Sequence, residues 1–138
     1  MGFELDRTRA LDLWRNVTVM SVKGDEPDLT ARQLAVLMTV HLGPPPHTVR
    51  GLAAALNVGK PAITRALDTL SRYELVTRRR DPADGRNVLV EKTAMGVDYL
   101  ADLGDMISRR ASELAESDFA QSASERPASA YGAVEMAR

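Results

Sequence analysis

The 138 residues contain no cysteine. That excludes a disulfide framework, a structural zinc site built on thiolates, and oxidant sensing through a thiolate. Histidine occurs only as His41 and His47, with no HExxH-type pair, and His47 beside Pro46 reads as a loop residue. Gly43, Gly51 and Gly59 do not have the spacing of a phosphate-cradling loop, and no serine lies in a GxSxG elbow. The expectation is therefore a protein that is not an enzyme and needs neither metal nor cofactor. Long apolar runs are missing too, and none approaches the roughly 18 residues that span a bilayer. The start carries Glu4, Asp6 and Arg7 rather than a basic stretch ahead of an apolar segment, so no secretory leader is read. A cytoplasmic protein with no membrane partner is expected. Aromatic side chains make up only 4% of the chain, but 44% of it is hydrophobic, enough for one ordinary core. The reading is a single domain over 1–138.

Net charge is also scarce, at −1, which at first speaks against nucleic acid. Its distribution speaks for it. Residues 47–92 hold nine Lys/Arg against five Asp/Glu, whereas 1–46 hold five against six and 93–138 four against eight. The positive charge is gathered on one segment and the acidic ends flank it.

That segment has a definite pattern. Thr48 is a cap for a short helix with Val49, Leu52, Ala53 and Leu56 at helical spacing. Asn57-Val58-Gly59 is a turn, with Gly59 expected to take the unusual backbone angle. A second helix follows, opened by Pro61. Ile63, Ala66, Leu67 and Leu70 fall on one side of it. Pro61, Thr64, Arg65, Asp68 and Arg72 fall on the other, with Lys60 at the N-terminal end. A short helix, a turn and a longer helix with a basic outer face is a helix-turn-helix arrangement. Leu75 and Val76 end this helix and start an extended run through Thr77, Arg78, Arg79 and Arg80. Asp81-Pro82-Ala83-Asp84-Gly85 is a dense turn signal, and 87–90 is read as the returning strand of a hairpin with Arg86 at its tip. The helix presents groups suited to base edges and phosphates in a major groove. Arg86 suits the negative potential of a narrow minor groove. The expected contacts are Thr64, Arg65 and Asp68 on base edges or adjacent phosphates, Lys60 and Arg72 on backbone, and Arg78, Arg79 and Arg80 flanking Arg86.

The flanks read as helices. Leu5 to Ser21 is amphipathic and contains Trp14, the single tryptophan. Thr30 and Gln33 form a capping box for a helix over 31–42, with Leu29 as staple to Leu34. Gly43 and the prolines 44–46 end it. Thr93 caps a further helix, along which Val97, Leu100, Gly104, Ile107, Ala111 and Leu114 make a narrow coiled-coil-like seam. The tail from Ser117 is poor in large apolar residues.

The stretches LTARQLAVL (29–37), TVRGLAAALNVGKPAITRALDTLSRYELVTR (48–78) and DGRNVLVEKTAMG (84–96) resemble the winged helix-turn-helix core of the MarR family of bacterial transcription regulators. Asp84, Arg86, Thr93 and Gly96 keep the spacing of the family's wing signature. Gly85 replaces its usual first arginine and Lys92 its usual leucine. The resemblance implies a mainly α fold with a small β-hairpin wing: a winged core over 29–93, and dimerisation helices and tail over 3–22 and 94–138. It implies a homodimer that binds double-stranded DNA at a pseudo-palindromic operator, as a repressor. A small-molecule effector in a cleft, for which Trp14, Met38 and His41 are candidates, and regulation without a ligand, by abundance or by another protein, are equally compatible with it. The competing reading is a winged-helix protein–protein adaptor that leaves its basic helix idle.

Overall fold

The computed structural model describes residues 4–124. In chain order they form α1 (Arg7–Lys23), α2 (Ala31–Leu42), β1 (His47–Thr48), α3 (Val49–Leu56), α4 (Lys60–Arg72), β2 (Val76–Arg80), β3 (Val88–Lys92) and α5 (Ala94–Ser124). Two compact units divide the chain. One spans 19–105, and the other combines the chain up to residue 18 with the chain from residue 106.

In the 19–105 unit the capping residues act as the sequence indicates. Thr30 Oγ1 accepts from the Gln33 N–H at 3.1 Å, and the Thr30 N–H donates to Gln33 Oε1 at 2.9 Å. Such a cap contributes about 1 kcal/mol. Thr48 Oγ1 accepts from the Gly51 N–H at 2.9 Å and so starts α3. α3 ends on Asn57, not on Gly59, as the left-handed residue: Asn57 has φ 55° and ψ 47°, while Gly59 has φ −72° and caps α4. Asparagine tolerates this region because its short polar side chain bonds locally. Pro61 is accordingly the second residue of α4, after Lys60.

The core of this unit gathers one stripe from each helix. Val36, Leu37 and Val40 come from α2, Leu52 and Ala53 from α3, and Ile63, Ala66, Leu67 and Leu70 from α4, closed by Leu75, Val76 and Val90. The α4 residues sit at i, i+3, i+4 and i+7, so one turn of periodicity aims all four inward. α4 stops at Arg72, three residues earlier than the apolar pattern suggests. Glu74 takes φ 62°, and the Leu75 N–H donates back to the Leu70 carbonyl at 2.9 Å. This reversal turns Leu75 and Val76 from helix into core.

The sheet has three antiparallel strands in the order β1-β3-β2. β2 and β3 pair from Val76↔Lys92 to Arg80↔Val88. β3 thus starts one residue later and ends two later than expected, because Asp81 to Asn87 are all taken up by the turn. The Asp81 N–H closes on the Asn87 carbonyl, and the Asp81 and Asp84 carboxylates accept from the Ala83 and Arg86 N–H groups. β1 was not legible: His47, expected in a loop, pairs with Val90, and Thr48 with Leu89. Val90 is the buried anchor beneath the hairpin, and Lys92 is exposed.

His41 is buried, with Nε2 3.4 Å from the Leu75 carbonyl. The ring is thus held inside the winged core. Gly96 sits against the same place. A Cβ there would lie 2.3 Å from the Leu75 oxygen and 2.6 Å from His41 Nε2. Thr93 joins the end of α4 to the start of α5. Its hydroxyl donates to the Glu74 carbonyl at 2.7 Å and accepts from the Gly96 N–H. Tyr99 reaches back to the Pro27 carbonyl at 3.2 Å.

In the other unit Val17 and Leu114 are buried. Arg110 bridges the Asp12 and Glu113 carboxylates. Leu11 and Trp14 remain 64% and 52% exposed. α1 runs two residues later than the expected 5–21, and α5 continues as helix to Ser124, past Ser117. The expected return of the C-terminus over 128–138 lies outside the described residues.

Candidate nucleic-acid interface

The interface is built from α4 outward. Burial of Ile63, Ala66, Leu67 and Leu70 leaves Lys60, Pro61, Thr64, Arg65, Asp68 and Arg72 exposed on the opposite side. All six expected helix residues are therefore on one solvent face. Lys60, Arg65 and Arg72 form no ion pair among the described residues, so their donors are available to an external anion. At the N-terminus of α4 the Lys60 charge adds to the positive end of the helix dipole, where free N–H groups favour an anion.

The hairpin separates its arginines by the period of two that alternates side chains across a strand. Arg78 shares the inner side with Val76 and is only 29% exposed; its guanidinium meets Asp68 of α4 at 2.9 Å. Two residues expected to face DNA independently are thus paired with each other, and the pair braces the wing on α4. Arg79 lies on the outer side and is chelated by Glu91 through two hydrogen bonds of 3.0 and 3.1 Å. That pairing raises the Arg79 pKa. Arg80 Nη1 donates to the Gly85 carbonyl at 2.6 Å, which holds the turn. Arg86 stands at the tip, 85% exposed, and is oriented by Asp84, with Nε and Nη2 donating to the carboxylate at 3.1 and 3.2 Å. The Arg86 hydrogen bonds hold the Asp84 carboxyl below its usual range, and the Arg50 charge adds to the effect.

Arg50 was missed by sequence reasoning. It lies exposed in the first turn of α3, near enough to the wing tip for its charge to act on Asp84. The available signal was its place at the start of the first helix of a helix-turn-helix, the element that crosses the phosphate backbone. Among the described residues no group of His, Cys, Asp and Glu is arranged to hold a metal ion.

A helix-turn-helix whose second helix offers a polar, cationic face, followed by a hairpin braced on that helix, is a winged helix-turn-helix. The sequence profile of the MarR family matches residues 29–88, from the cap of α2 to the start of β3. The winged core of this chain is thus similar to that of the MarR family. The fold extends beyond it. The structure of MepR from S. aureus bound to DNA matches with a TM-score of 0.62 at 18% identity, over 86% of this chain and 92% of that one. PcaV from Streptomyces coelicolor, a transcriptional regulator in complex with its natural ligand, matches with a TM-score of 0.57 at 24% identity, over 83% and 82%. MarR itself matches with a TM-score of 0.60 at 22% identity, over 94% and 99%. No helix among the described residues is long and apolar enough to cross a membrane.

Proposed function

We propose that this protein is a sequence-specific, DNA-binding transcription regulator that acts as a homodimer on a pseudo-palindromic operator and represses. The observation that carries the reading is the exposed face of α4, with Lys60, Arg65 and Arg72 in no ion pair among the described residues and directly opposite a buried stripe. Thr64 and Arg65 read base edges in the major groove, while Lys60, Pro61 and Arg72 lie along the backbone. Arg86 enters the minor groove from a wing stiffened by Arg79 and Arg80, and Arg78 acts through Asp68 to fix the angle between wing and helix. The DNA-bound MepR structure supports the mode of binding by its fold.

Dimerisation has its own support. Leu11 and Trp14 are large apolar side chains left open to solvent on α1. On α5, Val97 is half exposed, and a Cβ at Gly104 would meet nothing within 4 Å. A second copy closing on these helices would remove that apolar area from water. The ligand-bound PcaV relative supports a small-molecule effector as well. The effector would act by favouring one of two dimer states whose half-site spacings differ.

The test is fluorescence anisotropy of the purified protein on its own upstream DNA and on random DNA across a salt series. Tighter binding upstream, falling steeply with salt as phosphate contacts require, is the expected result. No binding to either DNA at low salt would overturn the reading in favour of a winged-helix adaptor.

A further inference from the structure

A cavity of about 270 Å³ opens on the sheet, away from the exposed face of α4. Its origin is in the sequence. β3 pairs with β2 along its whole length but with β1 only at Leu89 and Val90. Pro46 and Pro45, which precede β1, have no N–H to continue the ladder. The edge of β3 at Glu91 and Lys92 is therefore left without a strand partner. Neighbouring residues of a strand turn their N–H and C=O groups to opposite sides, so one of these two presents both groups to the open edge. The prolines stand off from that edge and enclose the space, with Val40 and Leu89 contributing further apolar wall.

The charged groups around the cavity are unequal. Arg79 is occupied by Glu91 through both of its hydrogen bonds, which leaves that wall neutral. The His47 ring is engaged at Nε2 by the Gly43 carbonyl at 3.2 Å. Lys92 makes no ion pair among the described residues, and it is the one cation of the lining with no partner. The volume is below the range of about 300–1,000 Å³ that takes drug-sized ligands, so only a compact molecule fits.

We propose that this cavity is a binding site for a small aliphatic carboxylate, its apolar body against Pro45, Pro46, Val40 and Leu89 and its carboxylate on the Lys92 ammonium. An aliphatic body fits a wall made of proline, valine and leucine, in which the one ring, that of His47, is already engaged by the Gly43 carbonyl. The carboxylate takes the charge-assisted bond from lysine, and the free strand edge supplies a second donor. The site is separate from the DNA-facing helix and does not depend on the regulator reading.

The experiment is a titration of the isotope-labelled full chain with hexanoate, and with 1-hexanol as the uncharged match, followed by amide chemical shifts. Hexanoate is expected to give saturable shifts at Leu89, Val90, Glu91, Lys92 and His47. Lys92→Gln, a change at an exposed position, is expected to weaken hexanoate about tenfold, the loss of one hydrogen bond to a charged group. It should leave hexanol unaffected, and Lys92→Arg should keep most of the affinity. Absence of saturable shifts at these amides, equal binding of the acid and the alcohol, or indifference to Lys92→Gln would each overturn the proposal.

Discussion

Gly96 and His41 show how much one residue decides here. The Gly96 position is closed by the Leu75 oxygen and the His41 ring, so even a methyl group has to displace backbone. Gly96→Ala is expected to destabilise the protein by about 3 kcal/mol, at the upper end of ordinary overpacking, read as a lower midpoint of urea unfolding. His41 carries a pH dependence. Burial pushes its pKa below the ordinary 6.5, the Lys92 charge pushes the same way, and the Leu75 carbonyl opposes them. The unfolded chain therefore binds a proton more readily than the folded one. Stability from this residue is complete above pH 6.5 and is lost as pH falls from there through the depressed folded value. Urea midpoints at pH 7.5 and 5.5 should differ more for the wild type than for His41→Gln. Equal differences would show that His41 does not titrate across folding.

At the scale of elements, α4 and the hairpin divide the labour. The free Arg65 projects from a helix fixed by four buried side chains, so its geometry is inherited from the core. Arg65→Ala is expected to lower the preference for operator over random DNA by about tenfold, within the range for one good base contact. Arg86 sits on a turn held by Asp84 and Arg80, and Arg86→Ala is expected to weaken operator binding several-fold while leaving the circular dichroism spectrum unchanged. Anisotropy on both DNAs separates the two roles. Equal loss on both DNAs for Arg65→Ala would make it a phosphate contact, and unchanged binding for Arg86→Ala would remove the wing tip from the interface.

For the whole molecule, the open question is what covers the apolar surface of α1. Leu11 and Trp14 lie one turn apart, and both are more than half exposed. The paired change Leu11→Asp with Trp14→Asp places charge in any dimer seam and should yield a monomer in sedimentation velocity. It should not lower the free energy of the monomer's own unfolding by more than about 0.5 kcal/mol, the usual size of a surface change. A dimer that survives both changes would put the contact elsewhere. The paired variant is also expected to lose most operator affinity, because two half-sites are then no longer read together.

The N-terminal caps of α2 and α3 and the buried stripe of α4 were determined by the sequence itself. The Thr30–Gln33 box, the Thr48 cap and the spacing of Ile63, Ala66, Leu67 and Leu70 all act within one or two turns of chain, where periodicity and capping chemistry are local. So was the presence of a basic hairpin after the helix, since the Asp81–Gly85 turn signal is contiguous. Only the tertiary structure decided which arginines are free. Arg78 is turned inward to Asp68 and Arg79 outward to Glu91 by strand alternation, and that depends on a register no local signal specifies. β1 exists because β3 lies beside it, some forty residues along the chain. Asn57 rather than Gly59 takes the left-handed turn because the packing of α3 on α4, not intrinsic preference alone, sets where the chain reverses. His41 is a core residue because Leu75 and Gly96 lie against it. Each of these outcomes is a long-range contact, and long-range contacts are chosen by the packing of the whole core.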